Sequence, residues 1–246
     1  MTPRIHSQTP RVRFAFLADA HLEDAASAAP LRAAIESLNA EPPDFVVFAG
    51  DMMDQGTPEQ WSVFLECLRA LRVPYHLLPG NHDLGNAGQA ERWRQTFGPL
   101  NSAWEAGGLH CIALDTTNTD PDPENWHGWV EPPAMEWLRA TLAAIPPEAP
   151  LLLLSHHGLV GVPDDLSRDV GNAAEVLAEF RDRRLLAGFA GHSHRLLRNR
   201  WEGIPFYTTP SVGLTRASIG VPPGFLRVEI LPAGLRVRLE LVDGVE

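Results

Sequence analysis

Short apolar runs alternate along the chain with stretches in which apolar residues recur every three or four positions. The runs read as buried strands, and the helical period reads as amphipathic helices lying on a core. The strands predicted in this way are Val12–Ala18, Phe45–Ala49, Tyr75–Leu78, Leu109–Leu114, Leu151–Leu154, Leu186–Ala190, Phe206–Thr209, Phe225–Leu231 and Leu235–Leu241. The predicted helices are Pro30–Asn39, Pro58–Leu71, Ala90–Phe97, Pro133–Ile145 and Ala173–Arg184. Thr57 before Pro58 has the form of an N-cap followed by proline in the first turn, and Asn172 stands in the capping position of the last helix. Pro232-Ala233-Gly234 between the last two strands predicts a hairpin. The alternation makes the chain α/β with an antiparallel end. It reads as a single domain over residues 1–246, with residues 1–10 a flexible N-terminus and residues 205–242 a β-rich part of the same domain.

Composition narrows this picture. The chain has 246 residues, 44% hydrophobic and 21% charged, which suits a globular protein and not a disordered one. A formal net charge of −11 argues against a broad nucleic-acid groove. It also means that an anionic substrate needs bound cations to receive it. The two cysteines, Cys67 and Cys111, form no CxxC pair, so a reducing compartment is expected. Met1–Arg13 has no apolar targeting region, and no apolar run approaches the ~20 residues that span a bilayer. A cytoplasmic protein with no membrane partner is therefore expected, and the sequence leaves an oligomer open without indicating one.

The chemistry lies just past the apolar runs. Asp19-Ala20-His21, Gly50-Asp51, Gly80-Asn81-His82-Asp83, Ser155-His156-His157 and Gly191-His192-Ser193-His194 each follow a predicted strand. Ligand sites of open α/β sheets gather beyond the carboxyl ends of strands, so these clusters are expected to converge. Asp19, His21, Asp51, Asn81, His156, His192 and His194 offer oxygen and imidazole nitrogen donors and no thiolate. That mix suits two divalent ions of Mn, Fe, Zn or Co, with Asp51 the natural shared carboxylate. In extended backbone the i,i+2 pairs Asp19/His21 and His192/His194 would each present both side chains on one face.

These blocks, in this order over residues 19–194, resemble the signature of the calcineurin-like metallophosphoesterases. Gly203-Ile204-Pro205 and Thr209-Pro210-Ser211 look like the cyclic-nucleotide and glycerophosphodiester phosphodiesterase branch. The resemblance implies a four-layer α-β-β-α sandwich of two mixed sheets flanked by helices. It implies one ion held by Asp19, His21, Asp51 and His194, and a second held by Asp51, Asn81, His156 and His192. It places His82 at the leaving oxygen, with Asp83 orienting it. Relatives often carry proline after the His-His pair, where this chain has Gly158. His157, His127 and Arg195 are candidates for substrate contact, and Trp126 and Trp129 share the polar loop 117–129 with His127. The implied reaction is hydrolysis of a small phosphodiester, a cyclic nucleotide or a glycerophosphodiester, by a metal-bridging hydroxide with His82 assisting the leaving group. The alternatives are a phosphomonoesterase, a nuclease, or a non-catalytic metal-binding scaffold.

Overall fold

Phe45–Ala49 is buried at every position, so layers must cover both of its faces. The computed structural model describes residues 11–86, 88–118, 127–161, 170–213, 222–232 and 234–242. The expected flexible N-terminus and most of the loops 117–129 and 158–170, including Trp126, lie outside these residues. In chain order the elements are β1 (Val12–Leu17), α1 (Ala29–Ala40), β2 (Phe45–Ala49), α2 (Pro58–Ala70), β3 (Tyr75–Leu78), α3 (Asn81–Leu84), α4 (Gln89–Phe97), β4 (Ser102–Ala106), β5 (Leu109–Leu114), α5 (Pro132–Ala144), β6 (Leu151–Ser155), α6 (Ala173–Ala178), β7 (Leu185–Ala190), β8 (Leu197–Trp201), β9 (Ile204–Thr208), β10 (Gly224–Leu231) and β11 (Gly234–Leu241).

Two mixed sheets result, ordered β11-β10-β1-β2-β3 and β4-β5-β6-β7-β9-β8. β1, β2 and β3 run parallel in the first sheet, as do β5, β6, β7 and β9 in the second. Three apolar clusters join the layers. Leu31, Ile35, Trp61 and Phe64 of α1 and α2 cover one face of the first sheet. Phe14, Phe16, Val47, Leu152 and Phe189 fill the space between the sheets. Leu138 and Leu142 of α5, with Phe180, cover the outer face of the second. Phe14 stacks on Phe45 at 5.3 Å within its sheet and meets Phe189 edge-on at 5.5 Å across the sandwich. This is the α-β-β-α layering expected from the resemblance.

Local chemistry explains most boundaries. The Thr57 hydroxyl accepts from the Gln60 amide, and the Gln60 side chain accepts from the Thr57 amide, a capping box worth about 1 kcal/mol. The last predicted helix is shorter than expected: α6 ends at Ala178, and the chain folds through tight turns that bury Phe180 before β7. Asn172 does not cap it. Its side chain accepts from Val130 N at 3.0 Å and donates to Val130 O at 2.9 Å, tying the turn before α6 to the segment before α5.

The open edges of the two sheets are closed by His76 of β3 lying flat on Trp104 of β4, with ring centroids 3.6 Å apart. Burial pushes His76 down to about 4, because the imidazolium would lose its water. The unfolded chain binds this proton at the ordinary histidine value near 6.5, and the folded chain resists it. The fold therefore loses stability as pH falls through the window from 6.5 to 4. Discounted for its partial exposure, the loss is about 1–2 kcal/mol. Urea midpoints at pH 7 and pH 5 are expected to fall further apart in the wild type than in His76→Phe, which keeps a ring on Trp104 and cannot be protonated.

Candidate active site

Every cluster singled out in the sequence sits at the carboxyl end of a parallel strand, on one edge of the sandwich. Asp19 and His21 follow β1, Asp51 follows β2, Asn81 opens α3 after β3, His156 follows β6, and His192 and His194 follow β7. The two sheets are laced together at this edge. His156 Nδ1 donates to Ala49 O, His192 N to the Asp19 carboxylate, and Val212 N to Ala18 O. Close approach demands glycine at position 80, since a Cβ there would lie 2.1 Å from Asp51 Oδ1.

The backbone at this edge departs from the extended form expected for the i,i+2 pairs. Asp19, His21, Asp51, His192 and His194 all have positive φ, and Glu202 is the one other non-glycine residue so disposed among the described residues. Each strand turns sharply as it ends, and Asp and His tolerate the left-handed region better than most residues. Such strain costs of order 1–3 kcal/mol per residue and persists where surrounding structure holds it. Here the Ser211 hydroxyl donates to Asp19 O, and His192 N donates to the Asp19 carboxylate.

The side chains fall into overlapping donor groups. Asp19, His21 and His194 form one, Asp19, Asp51 and His156 another, and His21, Asp51 and His82 a third. Asp51 belongs to two of these groups. His21 Nε2 and His194 Nε2 lie 3.1 Å apart, with Asp19 Oδ1 at 3.4 Å from the latter. On the other side, His156 Nε2 is 3.1 Å from Asn81 Oδ1 and 3.2 Å from Asp51 Oδ2.

These contacts test whether cations fit. His156 Nδ1 faces Ala49 O at 2.8 Å, and a carbonyl can only accept, so the ring proton sits on Nδ1. The neutral ring then aims its Nε2 lone pair at two oxygens, an arrangement that calls for a positive centre among them. Without an ion, that centre is a second ring proton. Burial pulls His156 down, but the Asp51 charge and hydrogen bond outweigh it and hold the ring up at about 9. Among the described residues His192 Nε2 is buried with no hydrogen-bond partner, and burial and the neighbouring His156 push this ring down to about 3. The donor set and the orphaned nitrogen both fit divalent cations.

One of the expected roles looks different in three dimensions. Asp83 is fully buried, and its carboxylate accepts from Met52 N, Met53 N and Gly80 N at 3.0–3.1 Å. Burial and the charge of Asp51 raise it to about 7. It thus ties the Asp51 turn to α3, and the His82 ring meets another residue. His82 Nδ1 donates to Asp54 O at 2.8 Å, with Asp54 Oδ1 at 3.8 Å. Asp54 Oδ1 also stands 3.5 Å from His21 Nδ1. Sequence reasoning passed over Asp54, although it lies three residues beyond Asp51 in the same loop. His157 is buried against Thr116, whereas His127 and Arg195 are exposed. Trp129 is 44% exposed, with its ring lying over Gly171.

The profile of the calcineurin-like phosphoesterases matches residues 12–196. The chain belongs to that family. It is 32% identical over 189 residues to a probable cyclic nucleotide phosphodiesterase of Rhodopseudomonas palustris, covering 72% of this chain and 67% of that one. It is 29% identical over 180 residues to a probable glycerophosphodiester phosphodiesterase of Arcobacter nitrofigilis, covering 69% of this chain and 63% of that one. The chain therefore spans less than two thirds of the latter relative's length. Its fold is similar to that of a dimetal phosphatase from Danio rerio, with a TM-score of 0.66 at 16% identity, covering 96% of this chain and all of that one. No helix among the described residues is long and apolar enough to cross a membrane.

Proposed function

We propose that this phosphoesterase hydrolyses a small phosphodiester at a centre of two divalent ions. The observation that carries the reading is the sharing of Asp51 between two donor groups, one that brings in His156 from the second sheet and one that contains His82. Asp19, His21, Asp51 and His194 would hold one ion, and Asp51, Asn81, His156 and His192 the other. Bound there, Mn, Fe, Zn or Co ions would draw a nucleophile from water at neutral pH and polarise the phosphoryl group. The protein's own residues do the rest. Asp83 holds the Asp51 turn against α3, and Asp54 holds the ring of His82. Because Nδ1 of His82 donates to a carbonyl, Nε2 can donate to a leaving oxygen only when the ring is an imidazolium, a charge that the Asp54 carboxylate complements. His127 and Arg195, both exposed, are offered as contacts for the ester's outer groups.

A small diester as substrate is supported by the relatives, which are named for cyclic nucleotides and glycerophosphodiesters. The two sheets act as one catalytic domain in this reading, since each contributes donors. Buried, unpaired Cys67 and Cys111 suit the cytoplasm. The test compares hydrolysis of bis-p-nitrophenyl phosphate and p-nitrophenyl phosphate by metal-loaded protein, with Asn81→Ala as control. Diester turnover, lost in Asn81→Ala, is expected. A preference for the monoester would make the protein a phosphatase, and two bound ions without turnover of either would favour a scaffold.

A further inference from the structure

His157 stands in the same ring cluster as His156 and His192, with one nitrogen from each within 4.8 Å of the others, and so has the look of an additional metal ligand. Its hydrogen bonds argue for a different role. Thr116 is fully buried, and its hydroxyl oxygen lies 3.1 Å from His157 N and 2.9 Å from His157 Nδ1. The amide can only donate, so the oxygen accepts there. The hydroxyl has one hydrogen of its own, and among the described residues His157 Nδ1 is the acceptor within its reach. Were Nδ1 to carry a proton instead, that hydroxyl hydrogen would be buried unpaired. Nδ1 therefore accepts, and the proton of the neutral ring is on Nε2.

A nitrogen bearing hydrogen is not a ligand. It is a donor, and this donor is fully buried with no partner among the described residues. The neighbouring acceptors are already engaged. Asp51 Oδ1 accepts from His82 N and its Oδ2 faces His156, the Asp19 carboxylate accepts from His192 N, and the lone pair of His192 is a proposed ligand. The ring cannot turn away, because Thr116 holds its far nitrogen and Gly128 lies against its Cβ, where a methyl group would come within 2.7 Å. An acceptor for Nε2–H has to arrive with a ligand. Beside a cation site, the ligand that carries exposed anionic oxygens is the phosphoryl group.

We propose that His157 binds substrate by donating Nε2–H to a phosphoryl oxygen at the His156/His192 half of the site. The inference rests on the two-ion reading above. The test loads wild type, His157→Phe and His157→Gln with manganese, then measures ions per chain and orthophosphate affinity by titration calorimetry, with no turnover required. Phe keeps a ring and removes the donor, whereas the Gln amide reaches the same place with N–H. Both variants are expected to retain two ions. Phosphate binding should weaken at least about tenfold in His157→Phe, as for loss of one hydrogen bond to an anion, and recover much of this in His157→Gln. Unchanged affinity in His157→Phe, or equal weakening in the two variants, would overturn the proposal. Loss of one ion from His157→Phe would also overturn it and make His157 a ligand. A wild type that takes up fewer than two ions or binds no phosphate would instead bring down the two-ion reading, and this inference with it.

Discussion

Asp51→Asn is expected to take up at most one ion tightly and to lose hydrolysis by on the order of 10³-fold or more, the several kcal/mol that metal polarisation supplies. The carboxylate is fixed at both oxygens. Oδ1 accepts from His82 N at 2.8 Å, and Oδ2 points between His156 Nε2 at 3.2 Å and His21 Nε2 at 3.7 Å. An amide of the same shape can keep the bond to His82 N, so the fold should survive. Its NH₂ would then face the two ring nitrogens, placing hydrogens where donor electron pairs are needed. Metal content by elemental analysis, circular dichroism and diester turnover measured together decide the matter. A folded variant with two tight ions and undiminished turnover would refute the shared role.

The same carboxylate sets how uptake depends on pH. In the metal-free protein His156 keeps its second proton up to about 9, held there mainly by Asp51 against the pull of burial. An ion must displace that proton, so apparent affinity should rise with pH, by about tenfold per unit while this ring remains charged. In Asp51→Asn the partner charge is gone, and the pH dependence of whatever binding remains should flatten.

The parts of the fold legible in the sequence are those where burial dictates composition. Phe45–Ala49 and Leu151–Leu154 are apolar throughout because both faces of each strand are covered. β4 and β8 escaped notice because they are edge strands whose exposure alternates, with Glu105, Arg198 and Arg200 on their open faces, and they carry no apolar run. α3 is a single turn, too short for any period. At the site, the donor residues could be picked out from their types and their places after strands. Their backbone could not, since the left-handed turns at Asp19, His21, Asp51, His192 and His194 depend on bonds from distant segments such as Ser211. Asp54 and Thr116 were invisible for a related reason. Each acts on a ring brought to it by the fold, His82 from 28 residues away and His157 from 41.

His82→Ala is expected to lower turnover by about 10²–10⁴-fold on diesters with alkoxide leaving groups, the range for loss of a positioned proton donor. On bis-p-nitrophenyl phosphate the loss should be much smaller, because nitrophenolate departs without a proton. Metal content should not change, since His82 stands outside the proposed ligand set. Asp54→Asn separates the ring's support from the ring itself. The backbone carbonyl that accepts from His82 Nδ1 remains, while the carboxylate oxygen near His21 Nδ1 at 3.5 Å and His82 Nδ1 at 3.8 Å is replaced by a neutral amide. Loss of such a supporting group costs about 10–100-fold in metal affinity or activity. The double variant distinguishes its two routes. If Asp54 acts through His82 alone, adding Asp54→Asn to His82→Ala should cost nothing further on an alkyl diester. If it also holds His21 in the tautomer that leaves Nε2 free to bind an ion, the double variant should bind metal more weakly than His82→Ala by the same factor that separates Asp54→Asn from wild type. The placement of Asp54 between both rings favours the second outcome, so the leaving-group residue and one ligand of the first ion would share a single carboxylate.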